Sequence, residues 1–186
     1  MSLQIARRHF NVTEYYRMAA AGVLSEDDRV ELIEGEIIEM NPIGSRHAAC
    51  VGRLTKFLER LAGDRVIVWV QNPVKVSDYS EPLPDVALLK PRDDFYAHAN
   101  PQPTDVLLII EVADSSVEYD REIKIPLYAE AGIPGVWLVN LPKEIIEMYT
   151  RPLDGTYQEI CVVKRGETLE AQSVRNLTID ANVVLG

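Results

Sequence analysis

Three charged side chains in this chain are spaced so that they can share one reaction centre. Asp85 follows Pro84 at the start of the apolar run Val86-Ala87-Leu88-Leu89, and Glu111 closes the next such run, Leu107-Leu108-Ile109-Ile110. Two carboxylates at neighbouring strand ends are placed to bind one divalent cation. Soon afterwards Asp120-Arg121-Glu122-Ile123-Lys124 offers an ammonium on a helix facing that sheet. Hydrolysis of a phosphodiester needs a nucleophilic water, charge neutralisation on the scissile phosphate and help for the leaving oxygen. Mg²⁺, for which Mn²⁺ can substitute, suits hard oxygen donors and takes only one or two carboxylates from a protein, keeping several waters. Asp85 and Glu111 are then the metal ligands, and the backbone carbonyl of Val112 completes the protein's share. Lys124 orients or helps deprotonate the water and stabilises the charge that builds on phosphorus.

Each residue also has a plainer account. Pro-Asp before a strand is a common turn. Glu111 can be a strand end emerging into solvent, although four apolar residues precede it and a buried, unpartnered carboxylate is costly. Lys124 stands four residues after Asp120, the spacing of an exposed helical ion pair worth a few tenths of a kcal/mol. Glu31, Glu36 and Glu39 can be the solvated face of a two-stranded ribbon. His47 can donate to a phosphate or carry a proton near neutral pH, or it can hydrogen-bond the turn before it. Tyr128 is expected to fill core space.

The elements that must carry these residues follow from local pattern. Asn11-Val12-Thr13-Glu14 is a capping box and predicts a short helix running to Gly22. After the acidic turn Ser25-Glu26-Asp27-Asp28, apolar and charged residues from Val30 to Met40 flank Glu34-Gly35 as in a hairpin. Asn41 to Ser45 is rich in turn formers. Ala48, Val51, Leu54, Thr55, Leu58 and Leu61 then recur at helical spacing and predict a long amphipathic helix ending near Gly63. Val66 to Val70 with Val74 to Val76 predicts one long strand bent at Pro73. Val86 to Leu89 is a buried strand, and residues 91–104 form a loop or short helix able to cover the site. Val106 to Val112 is the most continuously apolar run and is expected to be the central strand, buried on both faces. Asp120 to Ala131 predicts a helix bent at Pro126 and stopped by Gly132. Val136 to Val139 is another buried strand, and Ile145 to Tyr149 with Tyr157 to Val163 forms a trailing antiparallel pair around Asp154-Gly155. In order, helix, strand, strand, strand, helix, strand with flanking hairpins predicts an α/β chain, a mixed α+β sheet sandwiched by helices.

At 186 residues and 47% apolar content the chain has material for one ordinary core, so residues 1–186 are expected to form a single domain. No apolar stretch approaches the roughly 18 residues needed to cross a bilayer, and Met1 to Phe10 has no apolar signal core. A cytoplasmic protein without membrane attachment is expected. Cys50 and Cys161 form neither a disulfide series nor a zinc pair and are read as reduced. With 19 Lys and Arg against 29 Asp and Glu, the net charge of −10 argues against tight, sequence-blind binding to nucleic acid. It leaves room for a nuclease, because a carboxylate-lined metal site contributes negative charge that the cation offsets. Apolar edge segments near Ile145 and Cys161 allow a homodimer that pairs strands across chains.

Pro84-Asp85 followed by Glu111 at a strand end resembles the PD-(D/E)xK nuclease superfamily. Further segments narrow the likeness: Glu31-Leu32-Ile33-Glu34-Gly35-Glu36, Arg46-His47, Glu111-Val112-Ala113-Asp114-Ser115-Ser116, Asp120-Arg121 with Lys124, and Tyr128-Ala129-Glu130-Ala131-Gly132-Ile133. Together they resemble a family of small chains classed as restriction endonucleases and once filed as a domain of unknown function, the Uma-two type, over about Phe10 to Ile179. The resemblance implies a restriction-endonuclease-like core and a Mg²⁺-dependent site acting on nucleic acid, expected to be DNA. It also implies that Glu31 is an auxiliary acidic residue that accepts a metal-bound water or helps to bind a second ion, and it retains His47 as a site residue. Where the superfamily places lysine two residues after Glu111, this chain has Ala113. The resemblance implies that the lysine has moved to the following helix, at Lys124. A module that keeps the fold and binds nucleic acid or protein without turnover is the alternative, motivated by the acidic balance and the absent in-line lysine.

Overall fold

The computed structural model describes residues 7–25, 27–174 and 176–186. Glu26 of the acidic turn and the first six residues of the amino-terminal segment lie outside them. Asn11 caps α1 (Val12–Ala20), accepting from the Glu14 amide while Glu14 returns a bond to the Asn11 amide. The hairpin β1 (Val30–Ile33) and β2 (Glu36–Glu39) turns through Glu34 and Gly35, both at positive φ. A Cβ on Gly35 would lie 2.5 Å from that of His9, so close approach as well as backbone conformation requires glycine here. The ribbon is tied to the rest of the chain by an isolated bridge, Leu32 to Glu81, and by further bonds, from the Gly35 amide to the Tyr79 carbonyl and from the Glu34 amide to Ser80 Oγ.

The long helix α2 (Ser45–Ala62) buries Cys50, Val51, Leu54 and Leu58 on one stripe. A single six-stranded sheet follows among the described residues, built from β3 (Ile67–Val70), β4 (Val86–Leu89), β5 (Val106–Ala113), β6 (Gly135–Asn140), β7 (Ile145–Leu153) and β8 (Thr156–Lys164), in that spatial order. Only β5 and β6 run parallel, because a helix connects them, and the other neighbours are antiparallel. One face of the sheet packs on α2 around Leu54, Leu88, Ile110 and Trp137. The other packs on the connecting helix around Ile109, Leu138, Ile125 and Tyr128. With both faces covered, β5 is buried along almost its whole length, as its apolar run requires.

The connecting helix departs from a plain α-helix. A short α3 (Val117–Tyr119) leads into a π-helical turn, Asp120–Lys124, and then α4 (Ile125–Glu130). Pro126 has no N–H for the carbonyl four residues back and its ring crowds that carbonyl. Just ahead of it, the Ile125 amide reaches five residues back to Asp120. The helix therefore starts earlier than the expected Asp120, at Val117, and the expected bend is an inserted wide turn carrying Asp120 and Lys124 on its buried side.

Other expectations are corrected. Val74 to Val76 do not extend β3: their amides bond Pro82, Pro101 and Ser80 across a loop, because no neighbouring strand lies beside them. Residues 91–104 form turns beyond the carboxyl end of β4, where Tyr96 packs on Trp69, at the end of the sheet away from Asp85. They do not cover the site. Missing from the sequence reading are β9 (Thr168–Glu170), β10 (Thr178–Asp180) and α5 (Ala181–Leu185), which complete the core on the α2 face. Among the described residues, no helix is long and apolar enough to cross a membrane.

Candidate active site

Pairing of β4 with β5 sets Val86 opposite Ile110, and this register brings Asp85 beside Glu111. The Asp85 amide donates to Glu111 Oε2 at 3.3 Å, and the Val112 amide donates to Asp85 Oδ2 at 2.9 Å. In an extended strand the N–H and C=O of one residue leave on the same side. The Val112 carbonyl therefore also faces the Asp85 strand. Asp85, Glu111, Val112, Lys124, Glu31 and His47 all line one cleft of about 420 Å³.

From the π turn, Lys124 reaches Glu31 Oε2 at 3.0 Å and Glu111 Oε1 at 3.3 Å. One turn further on, the Tyr128 hydroxyl donates to the same Glu111 oxygen at 2.6 Å. The same Glu31 Oε2 accepts from the Leu83 amide at 3.1 Å, and Glu31 Oε1 accepts from the Tyr119 hydroxyl at 3.3 Å. Asp120 accepts from Ser116 Oγ at 2.7 Å. On the next strand, Arg121 clamps Glu147 through two bonds, of 3.1 and 2.5 Å, and ties the π turn to β7.

His47, in the first turn of α2, sets Nε2 2.9 Å from Asp85 Oδ2, while Gln71 donates to Asp85 Oδ1 at 3.2 Å. Neither the solvent nor the preceding turn is its main partner. Its Nδ1 is buried with no hydrogen-bond partner among the described residues. The bond to Asp85 raises the His47 pKa against the opposing effect of burial.

Three carboxylates, Glu31, Glu111 and Asp120, surround the buried ammonium here, while Asp85 pairs with His47. Burial pushes Glu111 up to about 8; Lys124 opposes this, while Asp120 and Asp85 reinforce it. Asp120 is raised for the same leading reason, desolvation. Burial works against the charge on Lys124, yet Glu111, Glu31 and Asp120 outweigh it and hold the pKa above the ordinary lysine value. Lys124 is thus an ammonium across the neutral range, suited to stabilising negative charge rather than to taking a proton. Among the described residues, no three His, Cys, Asp or Glu side chains form a ready cage for a metal ion. A cation that takes two carboxylates and keeps its waters fits the donor set, and the excess of negative charge favours it.

The plainer accounts give way at several positions. Glu111 is 2% exposed and Lys124 4%, so neither is a solvated strand end or a surface helix charge. Lys124 approaches from the helix the site that Ala113, also buried, leaves without a cation. Glu31 is 2% exposed and turned inward, unlike Glu36 and Glu39. Tyr128 does fill core space and in addition bonds Glu111. Sequence reasoning missed Asp120, Tyr119 and Ser116 as cleft residues, and Gln71 as a partner of Asp85. One signal was available for part of this: Ser116, Asp120, Lys124 and Tyr128 recur every four residues, one polar group per turn on the face that meets the sheet.

A family model described as "Uma2: Putative restriction endonuclease" matches residues 12–182. Among solved structures, the chain is similar to one titled "a putative nuclease belonging to DUF820" from Anabaena variabilis, with a TM-score of 0.74 and 16% sequence identity over 95% of this chain and 97% of that one. At that identity the likeness speaks for the fold. No curated protein matches the chain.

Proposed function

The chain belongs to the Uma2 family of restriction-endonuclease-like proteins, and from that premise we propose that it is a Mg²⁺-dependent endonuclease hydrolysing phosphodiester bonds in DNA. The observation that carries this reading is the meeting of Asp85, Glu111 and Lys124 in one cleft, from two strands and a helix. Asp85, Glu111 and the Val112 carbonyl are the residues to hold Mg²⁺, or Mn²⁺ in its place. The bound cation would supply a water of lowered pKa and neutralise charge on the phosphate.

The chain's own residues do the rest. His47 and Gln71 act as positioning residues, fixing the two oxygens of Asp85 from opposite sides. Tyr128 does the same for Glu111. Lys124 faces the charge that develops on the phosphoryl oxygens and is held ready by Glu31, so little reorganisation is needed during reaction. Glu31 is the acceptor nearest to Lys124 for a hydrogen bond from the attacking water. As the water oxygen adds to phosphorus, the ester P–O bond breaks and a proton passes to the leaving oxygen.

Supercoiled plasmid incubated with Mg²⁺ or Mn²⁺ tests the reading, with titration calorimetry of the metal alone alongside. Expected are cleavage abolished by chelation and strongly reduced in Asp85→Ala, Glu111→Gln and Lys124→Ala, and metal binding lost in the first two. Undiminished cleavage in all three variants would remove the activity from this cleft. Absence of both cleavage and millimolar metal binding would favour a module that binds without turnover.

A further inference from the structure

The two edges of the main sheet are unlike. On one side β3 has four residues and ends at Val70, three before Pro73. On the other, β8 has nine residues, and no strand among the described residues pairs with its outer side. Its middle, Ile160-Cys161-Val162-Val163, carries no charge, proline or glycine, the devices by which edge strands are usually kept apart. Ile160 is 61% exposed and Val162 47%. Both stand on the α4 face, since their partners across the ladder are Tyr149 and Glu147.

We infer that the outer edge of β8 is an interface for a second copy of this chain, paired antiparallel about a two-fold axis at Cys161. Symmetry and side-chain chemistry select this occupant and this register. A two-fold axis perpendicular to the sheet keeps like faces together only if residues of the same facing are opposed. Centred on Cys161, the pairing sets Ile160 against Val162 of the second copy and Val162 against its Ile160, joining the exposed apolar residues on one face. Gln158 then meets Lys164, an uncharged amide against an ammonium. Glu159 opposes Val163 with Arg165 of the second copy on the diagonal, where the two exposed pairs Glu159 with Arg151 and Arg165 with Glu144 can extend into one network across the copies. Centring the pairing on Val162 instead would set Ile160 against Lys164, and centring it on Ile160 would set Val162 against Gln158. The two sheets become one of twelve strands, and no long edge is left open.

This arrangement has a readable geometry. Antiparallel neighbours lie about 4.5–5.5 Å apart at Cα, inside the window of about 4.4–6.8 Å that a disulfide needs. Cys161 is the exposed thiol, and Cys50 is buried. The two clefts lie roughly 40 Å apart across the strands, and because the axis reverses β5, they open at opposite ends of the joined sheet.

Sedimentation at concentrations up to about 100 μM tests the inference, together with mild thiol oxidation followed by non-reducing electrophoresis. Expected are a species of twice the 20.9 kDa chain mass, a covalent dimer through Cys161 that Cys161→Ser abolishes, and at least about tenfold weaker association for Ile160→Lys. Divalent-cation binding in Ile160→Lys should be unchanged, showing that it is folded. A monomer throughout that range, with or without another protein on β8, would overturn the inference. So would a dimer that neither cross-links nor responds to Ile160→Lys.

Discussion

At the scale of single residues, the cleft separates charge burial from charge pairing. Glu111 is buried under a proton-favouring environment, whereas Lys124 depends on its carboxylates. Glu111→Gln keeps the shape and the Tyr128 contact and stands in for the protonated carboxyl that burial favours below about 8, so in that range its melting temperature should equal or exceed that of the wild type even as metal binding and cleavage are lost. Lys124→Ala leaves Glu31 and Glu111 facing each other unpaired and should cost about 3–5 kcal/mol, read as a lowered urea midpoint. The pH dependence has a definite sign. The Glu111 pKa rises from the ordinary 4.5 to about 8 on folding, so between those values the native state keeps a proton that the unfolded chain has released. Its contribution to stability is full below the lower value and falls as pH rises through the upper one. Divalent-cation affinity should move the opposite way, increasing toward pH 8 with release of a proton, measurable by calorimetry in buffers of different ionisation enthalpy. Loss of the pH slope in Glu111→Gln would identify the group.

Among the elements, the helix between β5 and β6 decides whether a cation meets the carboxylates. Its π turn is where Pro126 withholds an amide, and Arg121 fastens that turn to Glu147 on β7. Pro126→Ala restores the missing donor, so the turn should relax toward α-helix and rotate Lys124 relative to Glu111. The expected outcome is a protein at least as stable as the wild type with reduced cleavage, and an unchanged rate would show that the wide turn is not what aims the lysine. Features set by neighbours in sequence were legible beforehand: the Asn11 capping box, the turns at Glu34-Gly35 and Asp154-Gly155, and the helical stripe of α2. Val74 to Val76 were misread because a β-rich triplet becomes a strand only beside a partner, and three-residue β9 and β10 are too short to leave a pattern. Of the site, Asp85, Glu111 and Lys124 could be chosen, with Glu31 and His47 added by resemblance. Their burial could not be read, because it depends on Tyr128, Leu83 and Gln71, residues brought in from elsewhere along the chain.

For the molecule as a whole, a net charge of −10 opposes a polyanionic substrate. Several basic residues are also already paired, as with Arg92 and Asp94 or Arg165 and Glu144. With acidic groups in excess, few phosphate contacts that displace counterions are expected, so the dependence of log affinity on log salt should be shallow, with a slope of magnitude about 1–3. Binding to DNA in chelator should be weak and should strengthen when a non-catalytic divalent ion such as Ca²⁺ is supplied, as fluorescence anisotropy with a labelled oligonucleotide would report. A steep slope would indicate a basic face elsewhere.

The ribbon of β1 and β2 lies outside the main sheet and is tied to the segment before β4 through the Leu32 to Glu81 bridge and to the connecting helix through the contact between Glu31 and Lys124. A phosphate arriving at Lys124 should compete with Glu31 for the ammonium, so substrate entry should weaken this tie between the ribbon and the connecting helix. In Glu31→Gln, amide hydrogens of residues 30–39 should exchange faster with deuterium while those of residues 106–113 stay protected.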